Sequence, residues 1–199
     1  MLTPQDFYAH VRAAADSKGR LPVPEQAMWE IFPFEPASLV AKPLDDVRLP
    51  EPPRSGEGGQ DCHRCANPGA DVVWRSERWV LTPVAGGMNL PFGAMLMPRE
   101  HHDLSDLPDG HAAEMGVICA RIARAVEALD VIGRVHLYKF GDGGAHLHVF
   151  VVGLPAGMWQ LRGSSLLLWD DMLPAPPDGL AEETLQVAVD ALADLGEAL

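Results

Sequence analysis

The sequence predicts an α+β fold: a five-stranded antiparallel sheet with one long helix on one face, an N-terminal arm and a C-terminal helix. Two observations carry this expectation. Five short apolar segments, bounded by turn residues, have the length and alternation of strands. One longer segment repeats apolar residues at steps of three and four, the period of a helix with one buried stripe. Hydrophobic residues make up 47% and charged residues 22%, an ordinary globular composition.

The first sixty residues carry a helix signal followed by a proline-rich arm. Thr3 and Pro4 have the pattern of a helix N-terminus, and Gly19 favours its end. Residues 20–60 contain too much proline and glycine to sustain regular structure. We therefore expect residues 1–60 to form a helix followed by an arm, whose apolar residues predict that it packs on the compact domain.

The compact domain is expected over residues 61–177. Its predicted strands are, in chain order, 72–74, 79–83, 92–97, 134–140 and 145–153. Short connections at 75–78 and 141–144 predict that the first two strands and the last two form hairpins. A further strand is predicted at 165–169, within a region that otherwise has the composition of a loop.

Two helices are predicted from apolar periodicity. The longer one follows a cap at residues 104–108, and its buried stripe comprises Met115, Ile118, Ile122, Val126 and Leu129. The second lies in residues 178–199, with Leu185, Val189 and Leu192 on one face and acidic residues on the other. Cys119 lies beside the first stripe, which favours a small core residue over a reactive thiol.

Charge and cysteine content restrict the class of protein. The formal net charge is −13, whereas nucleic-acid binders need clustered lysine and arginine, so no nucleic-acid partner is expected. The chain has no apolar run of about 18 residues, and no membrane partner is expected. Three cysteines, two of them spaced as Cys-x-x-Cys, favour a metal site or a redox pair over a structural disulfide, and hence a cytoplasmic protein.

The segment 145–153 carries two histidines in strand alternation. His146, His148 and Phe150 share one predicted face, and the residues between them share the face that the long helix can bury. Taken alone, two such histidines have a structural interpretation, as exposed or hydrogen-bonded side chains. A functional pair beside the glycine-rich turn 141–144 is the alternative.

The wider pattern resembles the histidine-triad family over residues 61–153. Residues 92–101 match that family's glycine, apolar strand, proline, basic residue and histidine, and residues 103–107 match the start of its helix. Cys62 and Cys65 lie where many members carry a Cys-x-x-Cys. The last strand resembles the family's His-x-His-x-His, with Phe150 in place of the third histidine.

This resemblance implies a nucleotide hydrolase or nucleotidyl transferase that acts through a covalent phosphohistidine at His148. A neutral imidazole nitrogen is nucleophilic near pH 7, which suits that role. Phe150 departs from the pattern, because it cannot bond or protonate the leaving group. The alternatives are a catalytically degenerate, zinc-stabilised module that binds a nucleotide or phosphate, and a purely structural or interaction protein.

The resemblance also implies a structural zinc site. Its four ligands would be Cys62, Cys65, His101 and His146, a set that suits tetrahedral zinc. His63 and His102 are adjacent in sequence and are the alternative ligands.

The expected partner is a small-molecule nucleotide or phosphate ester. The candidates to bind it are Gly143, Gly144, Lys139, Arg99 and Trp159, with Arg162 as a further candidate. The alternatives are solvated surface charges for the three cations and packing against the sheet edge for the tryptophan. Family members often pair through the long helix and a sheet edge, so the resemblance also implies a homodimer.

Overall fold

The computed structural model describes residues 13, 15–20, 28, 32, 34, 37, 39, 43, 45–159 and 161–199. The chain divides into two compact units, Met1–Pro52 and Pro53–Leu199. In the first unit, the Phe32 and Phe34 rings lie edge to face with their centroids 5.9 Å apart. The predicted helix that starts at Thr3 lies outside the described residues.

The second unit is built on one antiparallel sheet. Its strands are β1 (Trp74–Arg75), β2 (Trp79–Pro83), β3 (Phe92–Pro98), β4 (Ile132–Tyr138), β5 (Val149–Pro155) and β6 (Glu197–Ala198). Their spatial order is β4-β5-β3-β2-β1-β6. The predicted α+β class is confirmed, but the sheet has six strands and not the five predicted.

The additional strand, β6, lies at the sheet edge. Ala198 pairs with Trp74 and Glu197 with Arg75, and the Leu199 amide donates to the Val73 carbonyl. Two residues carry no readable alternation, and their partner is more than a hundred positions away. Sequence periodicity therefore gave no signal for this strand.

The predicted strand 145–153 starts later than expected, at Val149. The preceding backbone finds other partners: the Ala145 amide donates to the Ser55 carbonyl at 2.9 Å, and the Leu147 amide donates to the His102 carbonyl at 2.7 Å. The alternation of faces nevertheless continues through this segment, since Leu147 and Val149 are both buried in the main core.

Four α-helices are present in the described part of the second unit. They are α1 (His63–Ala66), α2 (Asp109–Val126), α3 (Leu166–Asp170) and α4 (Leu180–Asp190). Both predicted amphipathic helices form, as α2 and α4, and together they cover one face of the sheet. Burial raises the pKa of Cys119 to about 11, which fits the inert core residue expected there.

The strand predicted at 165–169 is wrong, because this segment forms a short 3₁₀ turn and α3. Leu166, Leu167, Leu168 and Trp169 are four consecutive apolar residues, and such a run fits a buried strand or a short helix equally well. Leu166 packs into a smaller core on the second face of the sheet, with Leu90, Val152, Leu154 and Leu161.

Among the described residues, no helix combines the length and apolar character that crossing a membrane requires.

Candidate functional site

Four side chains with metal-ligating atoms meet at one corner of the sheet. Cys62 precedes α1 and Cys65 lies within it, so the turn of that helix brings the two thiols together. His101 follows the end of β3, and His146 precedes β5, the neighbour of β3 in the sheet. We call these four residues the Cys₂His₂ cluster.

The distances within the Cys₂His₂ cluster are those of a coordination site. The Nδ1 atom of His146 lies 3.5 Å from both sulfurs, and the Nδ1 atom of His101 lies 3.5 Å from the sulfur of Cys65. All four ligand atoms lie within 4.8 Å of one another. A sulfur and a nitrogen bound to one tetrahedral zinc ion lie about 3.6 Å apart, so the donor set and its spacing fit zinc.

A second contact orients His146 toward the sulfurs. Its Nε2 lies 2.9 Å from the carbonyl oxygen of Pro98, so a proton on Nε2 donates to that oxygen and leaves the lone pair on Nδ1. Burial lowers the pKa of His146 and keeps the ring neutral, as a metal ligand must be. Burial also raises the pKa of Cys65, and the neighbouring Cys62 adds to that effect.

The two alternative ligands lie outside this arrangement. His63 is an exposed residue of α1, and His102 lies instead beside Glu100 and His111. The structure therefore brings together the four predicted residues and leaves out both sequence neighbours. It also buries His146, which the strand pattern had placed on an uncovered face.

His148 lies beside the Cys₂His₂ cluster and is held by its own hydrogen bond. The Nδ1 atom of His148 lies 2.8 Å from the backbone carbonyl oxygen of His146, so Nδ1–H donates and Nε2 keeps its lone pair. The ring is partly exposed and lies edge-on to Phe150, with the centroids 5.6 Å apart. This is the tautomer that a nucleophilic histidine requires.

Phe150 begins a series of rings that continues along β4. The centroids of Phe150 and Phe140 lie 6.2 Å apart, those of Phe140 and Tyr138 5.7 Å, and those of Tyr138 and His136 6.0 Å. The last two pairs are stacked, with interplanar angles of 11° and 8°. We call these four residues the aromatic row. It provides an apolar, π-rich surface next to His148.

The glycine turn beside His148 is fixed from one side. The Ser55 amide donates to the Gly143 carbonyl at 3.0 Å, and the Ala145 amide donates back to Ser55. Gly144 lies against the His148 ring, since a Cβ atom there would be 3.7 Å from the ring carbon Cε1. Of the two glycines predicted to bind substrate, Gly144 therefore adjoins His148, and Gly143 precedes it in the turn.

Lys139 is engaged by an acidic partner. Its Nζ lies 3.0 Å from Asp103, and the same carboxylate accepts a hydrogen bond from Arg54, which also reaches the Gly141 carbonyl. Gly141 has a φ of +77°, a left-handed conformation that favours glycine. Burial alone would raise the pKa of Asp103, but its hydrogen bonds outweigh that effect and hold the pKa at about 2.

Two further predicted residues lie apart from the glycine turn. Arg99 donates to the carbonyls of Ser76 and Glu77, and lines a cavity whose lining does not include His148. Trp159 is exposed and stacks on the Arg162 guanidinium, 3.7 Å from the ring centroid. Trp159 and Arg162 line a cavity of about 420 Å³. His136, at the far end of the aromatic row, lines the same cavity.

Sequence reasoning missed the residues that support this site from a distance. Arg54 and Ser55 bond the glycine turn and Asp103 bonds Arg54, yet each is separated from the turn by about 40 residues or more. The nearest predicted feature was the helix cap at residues 104–108, which Asp103 immediately precedes, and the Asp103 side chain accepts from the Leu104 amide.

Comparison with known proteins gives structural neighbours only. No protein-family model matches the sequence, and no curated protein matches it. A zinc-bound histidine triad family protein from Mycobacterium smegmatis has 22% identity and a TM-score of 0.47, covering 67% of this chain and 94% of its own. A hypothetical histidine triad nucleotide-binding protein from Sulfolobus tokodaii has 12% identity and a TM-score of 0.46, covering 66% and 91%.

These neighbours are histidine-triad proteins. One of these two proteins is zinc-bound and the other is described as nucleotide-binding. A uridylyltransferase also matches, with 17% identity and a TM-score of 0.44, over 67% of this chain and 46% of its own. Every one of these likenesses is distant.

Proposed function

We propose that this protein is a nucleotide hydrolase or nucleotidyl transferase that uses His148 as its nucleophile. The observation that carries the proposal is the 2.8 Å hydrogen bond from His148 Nδ1 to the His146 carbonyl. It fixes the ring orientation and leaves Nε2 with a lone pair beside the glycine turn. A rigid, pre-oriented nucleophile is what in-line attack on phosphorus needs.

The proposed reaction has two displacements. In the first, Nε2 forms a bond to the phosphorus atom while the bond from phosphorus to the leaving group breaks, and the leaving group takes a proton from water. In the second, water or an acceptor phosphate attacks the same phosphorus and the N–P bond breaks, which regenerates neutral His148. The His146 carbonyl stabilises the positive charge that the ring carries between the two steps.

The aromatic row supports a nucleotide or another aromatic phosphate ester as the substrate. A base can stack on exposed rings, and Phe140, with 51% of its surface exposed, lies two steps from His148 along that row. Arg162, stacked on Trp159, is the candidate cation at its far end.

We further propose that the Cys₂His₂ cluster holds a structural zinc ion. All four tetrahedral positions would be filled by protein, so the ion would stabilise this corner and no reaction step passes through it.

Three free cysteines fit a reducing compartment, which supports the cytoplasm. The homodimer stays a proposal: β4 is an edge strand, and Leu137 on it is half exposed.

A specific observation favours the alternative, a degenerate binding module. Phe150 occupies the third position of the histidine pattern and packs among the aromatic row, where it can neither donate nor accept a proton. The nearby cation Lys139 is already paired with Asp103. A module with this composition would bind nucleotides without turning them over.

The test is an assay of binding and turnover across nucleotide phosphoramidates and dinucleoside polyphosphates. We expect slow turnover by the wild-type protein, none by His148→Ala, and wild-type rates for His63→Ala, which removes an exposed imidazole outside the site. Binding without turnover by the wild type would establish the binding module instead. Wild-type turnover by His148→Ala would reject the nucleophile.

A further inference from the structure

We propose that Glu100, His102 and His111 form a second metal site, which takes a divalent transition-metal ion such as zinc. This site is separate from the Cys₂His₂ cluster and from the proposed chemistry at His148. It lies where the segment after β3 meets the first turn of α2. His101, between Glu100 and His102, belongs to the other cluster.

The three side chains converge on one point. Their ligand atoms all lie within 4.8 Å of one another. The Nε2 atom of His102 is 3.7 Å from a carboxylate oxygen of Glu100, and the rings of His102 and His111 have centroids 5.6 Å apart. A nitrogen and an oxygen on one tetrahedral zinc ion lie about 3.4 Å apart, so small side-chain adjustments suffice to bind the ion.

His102 supplies an independent sign of a ligand. Its Nε2 atom is inaccessible to solvent and, among the described residues, has no hydrogen-bond partner. The Glu100 oxygen is too far away to accept a hydrogen bond from it. Buried polar atoms without partners are rare in native proteins, and a metal ion at this position would bind the nitrogen directly.

The other ring nitrogen of His102 faces a carboxylate from just beyond hydrogen-bond distance. Nδ1 lies 3.6 Å from a carboxylate oxygen of Asp106, which itself accepts from the Asp103 amide and is thereby fixed. A carboxylate on the distal nitrogen orients a metal-bound imidazole and raises its basicity. Two imidazoles and one carboxylate suit zinc and nickel better than magnesium or calcium. The exposed Glu100 leaves room for water to complete the coordination.

A metal ion here would stiffen the backbone that supports the rest of the site. The His102 carbonyl accepts from the Leu147 amide, between the two histidines of the reactive segment. His111 belongs to α2, so the ion would tie that helix to the segment that holds both clusters in place. We therefore expect the folded protein to be more stable when the metal ion is available to bind.

The test is a zinc titration of the intact protein by calorimetry, starting from protein that retains its tightly bound zinc. We expect the wild type to bind one further equivalent. His111→Ala and Glu100→Gln should both lose it, Asp106→Asn should weaken it by about tenfold, and the control His136→Ala should leave it unchanged. Because Glu100 is exposed, Glu100→Gln should unfold at the wild-type temperature without added zinc.

The Cys62→Ser variant distinguishes the two metal sites experimentally. It should lose the tightly bound zinc and still bind the equivalent that depends on His111. A wild type that binds no further zinc would overturn the second site, as would a further equivalent that persists in both His111→Ala and Glu100→Gln.

Discussion

The Cys₂His₂ cluster and the aromatic row both adjoin the segment 146–148, the cluster through His146 and the row through His148. They differ in the chemistry of their side chains. The cluster consists of polar atoms turned toward one another, with His146 almost fully buried. The row consists of ring faces, partly open to solvent, and His148 adjoins it at Phe150. His146 joins the two, because its ring faces the sulfurs while its carbonyl accepts from His148.

This contrast shows how one short segment can serve two purposes. The cluster fixes the backbone at His146, and that backbone in turn fixes the ring of His148. Under the proposed function, a stable metal centre would position the nucleophile without taking part in its chemistry. Variants on the two sides should therefore fail in different ways.

The largest expected effect is on the cluster side. Cys62→Ser should lose the bound zinc and lower the free energy of unfolding by about 3 kcal/mol or more, because a structural metal contributes directly to folding. Zinc content and urea unfolding measure this. Cys119→Ala is the matched control, since that cysteine lies in the core away from the cluster and should keep the zinc. Full stability of metal-free Cys62→Ser would remove the structural role.

Phe150→Gln tests the aromatic row. Replacing this partly buried ring with an amide should lower the free energy of unfolding by about 1–3 kcal/mol. The amide can donate a hydrogen bond near the leaving group, so we expect faster turnover than in the wild type. Phe150→Leu, which stays apolar, should show no such gain. Equal rates for the two variants would mean that the third position has no part in the chemistry.

Asp103→Asn tests the ion pairs behind the glycine turn. Losing the charged bonds to Arg54 and Lys139 should cost about 1–2 kcal/mol at pH 7. The pKa of Asp103 falls from its ordinary 3.8 to about 2 on folding. Its contribution is therefore complete above pH 3.8 and is lost as the pH falls toward 2.

The measurement for Asp103 is urea unfolding of the wild type and the variant over a range of pH. The difference between them should be constant from pH 7 to pH 5 and should shrink below pH 4. A difference that does not change with pH would show that the carboxylate charge is unimportant there.

The smallest effect is expected far from both regions. Arg75 and Glu197 pair across the β1–β6 edge with side chains 48% and 70% exposed. Glu197→Gln should change the free energy of unfolding by less than about 0.5 kcal/mol, since exposed ion pairs contribute little. A larger loss in urea unfolding would mean that β6 holds the sheet edge more firmly than its two residues indicate.

The sequence predicted the parts of this fold that repeat with a local period. β2 and β3 lie close to their expected bounds, and the stripe of α2 is buried through Ile118, Ile122 and Val126. The sequence pattern did not predict the close approach of Gly196 to β1. A Cβ atom at Gly196 would lie 2.1 Å from the Arg75 carbonyl oxygen. Only the folded chain brings those positions together.

In the candidate site, too, some features could be predicted from the sequence and others could not. The four residues of the Cys₂His₂ cluster were predictable because their spacing and residue types resemble a known pattern. The pairing of Lys139 with Asp103 was not, since a charge has no preferred partner in sequence. The sequence also could not predict which carbonyl accepts from His148, because every residue type has a backbone carbonyl.

The central claim is that His146 serves the metal and His148 serves the chemistry. The most direct measurement is the intact mass and zinc content of wild type and His148→Ala after rapid quenching with a nucleotide phosphoramidate. We expect a nucleotidyl adduct on the wild type that maps to His148, and in the variant an unchanged zinc content with no adduct. An adduct that persists in His148→Ala, or one that maps to another residue, would contradict the account.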